Sequence, residues 1–376
     1  MAGEFDLSKL SIDRRSFLRR GAVGGAGAVL LAGGGMSAFL AACSSSSKPA
    51  SSSTTPTSAA GGAPDFVELS YQLSWIKNVE FGGSFIADTN GYFKQLGFSS
   101  VKFLAGGSGP TADSVVDAGN ALVGISAPDI TSPAILQGAD VITIGAQYQK
   151  NPFAIMSLAS KPIKTPQDMI GKKIGVQDAN AAVWTAFLKA NNIAPSKVDK
   201  VVVQFDPSPL VAGTVDGWFS FFTNEPNLLK IQKVDTYVFK LADFKYPLVS
   251  ETYVVKKSNL QSKRAEIKAM LKGDIMGWHQ NLKDPALGAT LAATKYGKDQ
   301  HLTVEEQTLE SKSENTLILT PDTQANGLFT ITPKLIDENI ATLKFAGITI
   351  TKEQLFDTSI IDEVYQENPD LKTIPA

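Results

Sequence analysis

Cysteine is almost missing from this 376-residue chain: Cys43 is the only one, so no disulfide can form within it. A fold of this size then holds by packing alone. Histidine is nearly as scarce. His279 and His301 are the only two, neither has a partner four residues on, and no His/Cys metal pattern is left. Neither a metal nor a cofactor is expected, and His279 reads as structural.

Arginine is the third shortage. Beyond position 42 the chain has only Arg264, in the run Ser262-Lys263-Arg264-Ala265-Glu266, which reads as an exposed helix face. Anion pockets commonly use the bidentate fork of arginine, and that device is excluded here. Lysines and helix N-termini can still hold anions, but the balance favours a neutral or weakly charged ligand. Setting residues 1–42 aside removes Lys9, four arginines and three acids. That leaves 30 basic against 34 acidic residues, a net charge of −4 with no basic patch. Nucleic acid is not an expected partner.

What is present begins at the N-terminus. The charged stretch Asp13-Arg14-Arg15-Ser16-Phe17-Leu18-Arg19-Arg20 runs into a Gly/Ala/Leu-rich stretch from Gly21 to Ala42, ending Leu40-Ala41-Ala42-Cys43. Charge, then apolar run, then small residues is the layout of an export signal, and paired arginines point to twin-arginine export. The pattern resembles a bacterial lipobox. It implies that residues 1–42 are removed, that Cys43 carries lipid, and that the protein is exported and anchored to the outer face of the cell membrane. Apart from Lys48, residues 44–64 are only Ser, Thr, Pro, Ala and Gly. Residues 43–64 therefore read as a lipidated cysteine and a flexible tether reaching on the order of 25 Å.

After Pro64 short strand patterns alternate with helical ones, which predicts an α/β protein. Strands are expected over 67–73, 101–104, 121–125, 141–147 and 153–158, then over 173–176, 200–205, 217–222, 234–240 and 251–256. Helices fill the gaps, and the chain is mainly helical from Ser262 onward. The boundaries expected are one lobe from 65–158 plus 251–376 and a second from 159–250. The Gly106-Gly107-Ser108-Gly109 turn lacks the Gly-Lys-Ser/Thr ending of a phosphate loop.

Several stretches carry a family resemblance. They are Trp75-Ile76-Lys77-Asn78, Gly82-Gly83-Ser84-Phe85-Ile86-Ala87, Gly91-Tyr92-Phe93-Lys94, Gly119–Ala127, the stretch from Met169 to Val176, and Val215-Asp216-Gly217-Trp218 followed by Thr223-Asn224-Glu225-Pro226. Over roughly residues 66–365 the chain resembles solute-binding proteins of the thiamine-precursor (NMT1/THI5-like) family, related to riboflavin-, nitrate-, taurine- and sulfonate-binding proteins. The resemblance implies a two-lobe, type II periplasmic-binding-protein-like fold with two crossing strands and a ligand cleft between lobes. It also implies a monomer that delivers a small-molecule ligand to an ABC permease.

In such a fold, strand ends and helix N-termini converge on the cleft. Trp75 can stack on a flat heterocycle, while Asn78, Asn224 and Glu225 can bond its edge. Thr223-Asn224-Glu225-Pro226 equally suits a helix cap, and both readings stand. Trp184 and Thr185 open a second-lobe helix where relatives touch ligand, although Trp184, Phe187 and Leu188 also form an apolar helix stripe. Trp218 joins the candidates, although its strand position suits the core. Ser108, Asp129 and Gln147 sit at expected cleft positions, and Tyr246 is expected to lid the cleft. The ligand implied is an aminopyrimidine or a riboflavin-like planar heterocycle. The alternative is nitrate, taurine or an alkanesulfonate. A pyrimidine-synthesising enzyme of the same family is disfavoured, because its cysteine-rich motif has no counterpart here, and no catalytic residue is expected.

Overall fold

The computed structural model describes residues 64–107 and 109–374. The export signal, Cys43, most of the tether and Ser108 lie outside the described residues. Ten strands form two five-stranded sheets. They are β1 Leu69–Gln72, β2 Val101–Leu104, β3 Val123–Ser126, β4 Val141–Tyr148, β5 Phe153–Leu158, β6 Lys173–Gln177, β7 Asp199–Val203, β8 Gly217–Phe221, β9 Thr236–Lys240 and β10 Ser250–Lys256. The first sheet has the order β2-β1-β3-β10-β4 and the second β7-β6-β8-β5-β9.

Each sheet is parallel apart from one inserted strand. β10 runs antiparallel between β3 and β4, and β5 runs antiparallel between β8 and β9. The chain therefore passes between sheets twice, through residues 149–152 and 241–249. At both passages the carboxyl ends of the parallel strands stand beside the first residues of β10 or β5. This is where an open α/β sheet gathers polar side chains.

β4 is buried along its whole length although it ends its sheet. Its free edge is covered by a bridge from Thr143 to Phe356 and by the Asp357 N–H, which donates to the Thr143 carbonyl at 2.9 Å. A covered edge cannot pair with another chain. On the first sheet, helix Gly82–Thr89 crosses helix Arg264–Lys283 at glycine contacts. A Cβ on Gly277 would lie 2.0 Å from the Gly83 carbonyl oxygen, so only glycine permits this approach.

Two placements differ from the expected lobe boundaries. β5 was expected in the first lobe but pairs with β8 and β9, with Phe153 opposite Phe221. Periodicity identifies a strand, not its neighbours, and these neighbours lie more than sixty residues away. The helix Pro333–Phe345 was also expected there. Its Leu335 and Leu343 instead join the apolar cluster of Val183, Phe187, Phe239 and Tyr246. Among the described residues no helix is long and apolar enough to cross a membrane.

Candidate functional site

Two asparagines explain how the strand ends meet. Asn78 follows β1 and stands at the cap position of the short turn Val79–Phe81, yet its side chain makes no capping bond. Asn224 follows β8 and stands at the cap of helix Glu225–Ile231, again with no side-chain cap. Both amides go elsewhere. Asn224 Nδ2 donates to Glu310 Oε1 at 2.7 Å and Asn78 Nδ2 donates to the same oxygen at 3.2 Å. One carboxyl oxygen thus joins segments leading from opposite sheets. Close by in sequence, Trp75 meets Phe205, which follows β7, edge-on with ring centroids 4.7 Å apart.

Glu310 belongs to helix Val304–Ile318, whose buried face is polar. Glu306, Gln307, Glu310, Ser311 and Glu314 all point inward. A spacing of four stacks Glu306, Glu310 and Glu314 on one stripe. Gln307 holds the stripe in place. Its Oε1 accepts the Val79 N–H at 2.6 Å, and its Nε2 donates to Glu306 at 2.6 Å and Glu310 at 2.7 Å. Glu80 adds a fourth buried carboxyl from the turn after β1, and Glu251 a fifth from the start of β10. Ser74 donates to Glu251 at 2.7 Å. Glu251 has φ +46°, a left-handed conformation that costs a non-glycine residue about 1–3 kcal/mol. Strain of this kind persists only where surrounding contacts hold the residue in place.

Burial pushes every one of these carboxyls upward, and repulsion adds to it for Glu80, Glu310 and Glu314. Desolvation is the leading cause throughout. Glu80 is raised further by Glu251 and Glu314, and Glu310 by Glu314 and Glu306. Glu306 rises by burial, against hydrogen bonds from its neighbours. Glu251 is pushed to about 7 and Glu314 to about 8. The Tyr148 hydroxyl lies near enough to Glu314 to favour its ionised form, without forming a hydrogen bond of its own. Among the described residues, no ion pair reaches any of the five. No group of carboxylates there is arranged to hold a metal ion.

The expected site residues divide into three sets. Asn78 and Asn224 come together on Glu310, Gln147 joins them by donating from β4 to the Glu80 carbonyl at 2.9 Å, and Trp75 stands against Phe205. Glu225 lies beside Glu306, and burial lifts its carboxyl to about 7. It also accepts the N–H of Phe221 at the end of β8 at 2.9 Å, while no side chain caps the helix and only Pro226 in its first turn fits the cap reading. Asp129 and Tyr246 form a separate pair, the hydroxyl donating to the carboxyl at 2.6 Å. Tyr246 is fully buried and packs with Phe187, so it is a clasp within the fold and not a lid.

The third set belongs to the second lobe, where the Trp218 indole stands near enough to Glu225 to favour its ionised form. Trp218 sits in a closed cluster with Met156, Leu210, Val215 and Leu229. Trp184 packs in the second-lobe core against Phe219, and the exposed Thr185 bonds its own helix at the Ala181 carbonyl. Strand alternation and the apolar helix stripe account for these placements. A groove of about 380 Å³, lined by Lys161, Ile163, Asp168, Leu210 and Asp216 among others, opens where β6 and β8 begin. That is the opposite end of the second sheet from the carboxyl cluster.

Sequence reasoning missed the five glutamates. The available signal was Glu306, Glu310 and Glu314 at a four-residue spacing, with Gln307 and Ser311 beside them.

Comparison with known proteins places this arrangement in a class. The periplasmic nitrate-binding protein NrtA of Synechocystis PCC 6803 superposes with a TM-score of 0.60 at 13% identity, covering 84% of this chain and 92% of that one. The periplasmic aliphatic sulphonate binding protein SsuA of Escherichia coli gives 0.57 at 14%, covering 83% and 90%. The ligand binding component of an ABC-type import system from Staphylococcus aureus gives 0.59 at 10%, covering 80% and 99%. No curated protein matches the sequence. At these identities the likeness is one of fold: the protein is a two-lobed α/β molecule of the periplasmic-binding-protein type. A family description, NMT1/THI5 like, matches residues 78–287, more than half of the chain. The chain belongs to the NMT1/THI5-like family.

Proposed function

We propose that this protein is the solute-capturing subunit of an ABC importer and closes its two lobes around a small molecule. The observation that carries this reading is Glu310, whose single oxygen receives amides leading from both sheets. A ligand that takes over such bonds draws the lobes together by hinge closure. Trp75 offers an aromatic wall, and Asn78, Asn224 and Glu225 offer edge hydrogen bonds. This set suits a planar nitrogen heterocycle, either a thiamine-type aminopyrimidine or a riboflavin-like ring. The reading is of binding rather than catalysis, by a monomer working with a membrane permease.

The names of the sulfonate- and nitrate-binding neighbours favour a second reading, an oxyanion ligand. The buried carboxyls weigh against it, because an anion among them adds repulsion to groups already resisting ionisation. A thermal-shift panel on the full chain tests both. Aminopyrimidines, thiamine, riboflavin, taurine, nitrate and alkanesulfonates are compared at saturating concentration. A ligand at 100 times its dissociation constant adds about 2.7 kcal/mol and moves the melting point by several degrees. The expected result is a shift with a pyrimidine or a flavin. A shift with taurine, sulfonates or nitrate alone overturns the heterocycle reading.

The anchor is part of the same proposal. A Cys43→Ser variant is expected in the soluble fraction of cells, and retention in membranes would sink the lipid assignment.

A further inference from the structure

Resting on the solute-binding reading, we infer that the cleft ligand is an organic cation rich in N–H donors: an ammonium, amidinium or guanidinium. Five carboxyls, Glu80, Glu251, Glu306, Glu310 and Glu314, converge from the β1 end, the β10 start and one helix face. The described ion pairs use Arg264, Lys268, Lys334 and Lys352, and all of their acidic partners lie outside this cluster. Buried charge without a protein partner is costly. These carboxyls meet that cost by holding their protons, and a cation that pairs with them lets them ionise.

A second observation points to the ligand's hydrogen bonds. Both side-chain oxygens of Glu314, the Asn78 Oδ1 and the Tyr148 hydroxyl are buried without any hydrogen-bond partner. Each of these residues is 1% exposed or less. The Tyr148 hydroxyl is placed among Glu314, Glu80, Glu251 and Glu310, all of which oppose its ionisation. Buried polar atoms in native proteins are normally paired. Here most of the unpaired atoms are acceptors, so they call for a ligand that donates. A cation offsets these carboxyls as they ionise, whereas an oxyanion adds to their repulsion. The absence among the described residues of any metal-holding group favours an extended organic cation over a bare metal ion. Trp75 and Phe205 add aromatic surface beside the same strand ends, which suits a cation as well.

Proton linkage follows. The groups facing the ligand are Glu80, Glu251, Glu306, Glu310, Glu314, Tyr148 and, beside Glu306, Glu225. A cation favours their ionised forms, so capture expels protons and affinity rises with pH.

The test is calorimetric titration of the full chain with benzamidine, agmatine and putrescine at pH 6 and pH 8. Riboflavin, taurine and nitrate are run alongside. At each pH two buffers of different ionisation enthalpy are used. The expected result is that at least one cation binds about tenfold or more tightly at pH 8, with a buffer-dependent heat that reports proton release. Glu314→Gln then weakens that cation about tenfold while still melting cooperatively. Glu80→Gln carries the same test should Glu314→Gln misfold. Binding of riboflavin, taurine or nitrate with no response to any cation overturns the cation inference and leaves the solute-binding reading standing. Cation binding that ignores pH and releases no proton overturns it too. No heat with any compound overturns both.

Discussion

A Glu310→Ala variant is expected to bind the cleft ligand about ten- to a hundredfold more weakly while remaining folded. The residue's weight comes from position. One oxygen accepts Asn78 and Asn224, and the other accepts Gln307. Removing the carboxyl leaves two amides at the strand ends without their shared acceptor, at about 1–3 kcal/mol for each buried unmet group. That loss falls on closure, because the two asparagines reach Glu310 from different sheets. Folding stability is expected to change little, since the substitution also removes a buried carboxyl that Glu314, Glu306 and Glu80 all push upward. Glu310→Gln keeps one acceptor oxygen and is expected to lose less. Calorimetry gives the affinity and thermal unfolding the stability. Unchanged affinity in Glu310→Ala would remove the residue from the site.

The second large effect is on the ligand-free protein, whose stability is expected to fall between pH 6.5 and pH 8.5. The sign comes from the direction of the shifts. Glu225 and Glu251 are pushed to about 7 and Glu314 to about 8, all above their unfolded values. Over this range the unfolded chain has already released those protons, while the folded chain still holds them. Stability therefore drops as the folded carboxyls are forced to ionise. The three together amount to about 3 kcal/mol, or roughly 5 °C or more in melting point. Asp274, pushed to about 6, has largely made its contribution by the start of the window. His279 works in the opposite sense, since burial lowers it to about 4, but its effect lies mainly below pH 6.5. Asp168, Glu353 and Glu363 are lowered, but they lie at the surface and contribute little. Glu314→Gln should flatten the profile. A melting point that stays constant or rises over the window would contradict the buried-carboxyl account.

Much of the fold was legible because its signals are local. β2 and β5 occupy the expected residues. Asn78 and Asn224 were legible as site candidates because each follows a strand and precedes a helical turn. Their partner was not. A glutamate at every fourth position normally marks a solvated helix face, and only the packing of Val304–Ile318 against β4, the turn Val79–Phe81 and helix Glu225–Ile231 turns that face inward. The strand membership of β5 was hidden for a similar reason. Its partners β8 and β9 are distant in sequence, so register and sheet order emerge only with the tertiary structure. Trp184 and Trp218 show the converse. Their local apolar spacing already described their cores, and the family resemblance pulled them toward the cleft.

Hydrogen exchange of the full chain, with and without its saturating ligand, tests the central claim most directly. The account predicts new protection concentrated in residues 74–80, 221–225, 250–252 and 306–314, on segments from both sheets. Protection confined to the groove around Lys161, Asp168 and Asp216, or to one lobe alone, would contradict capture between the sheets.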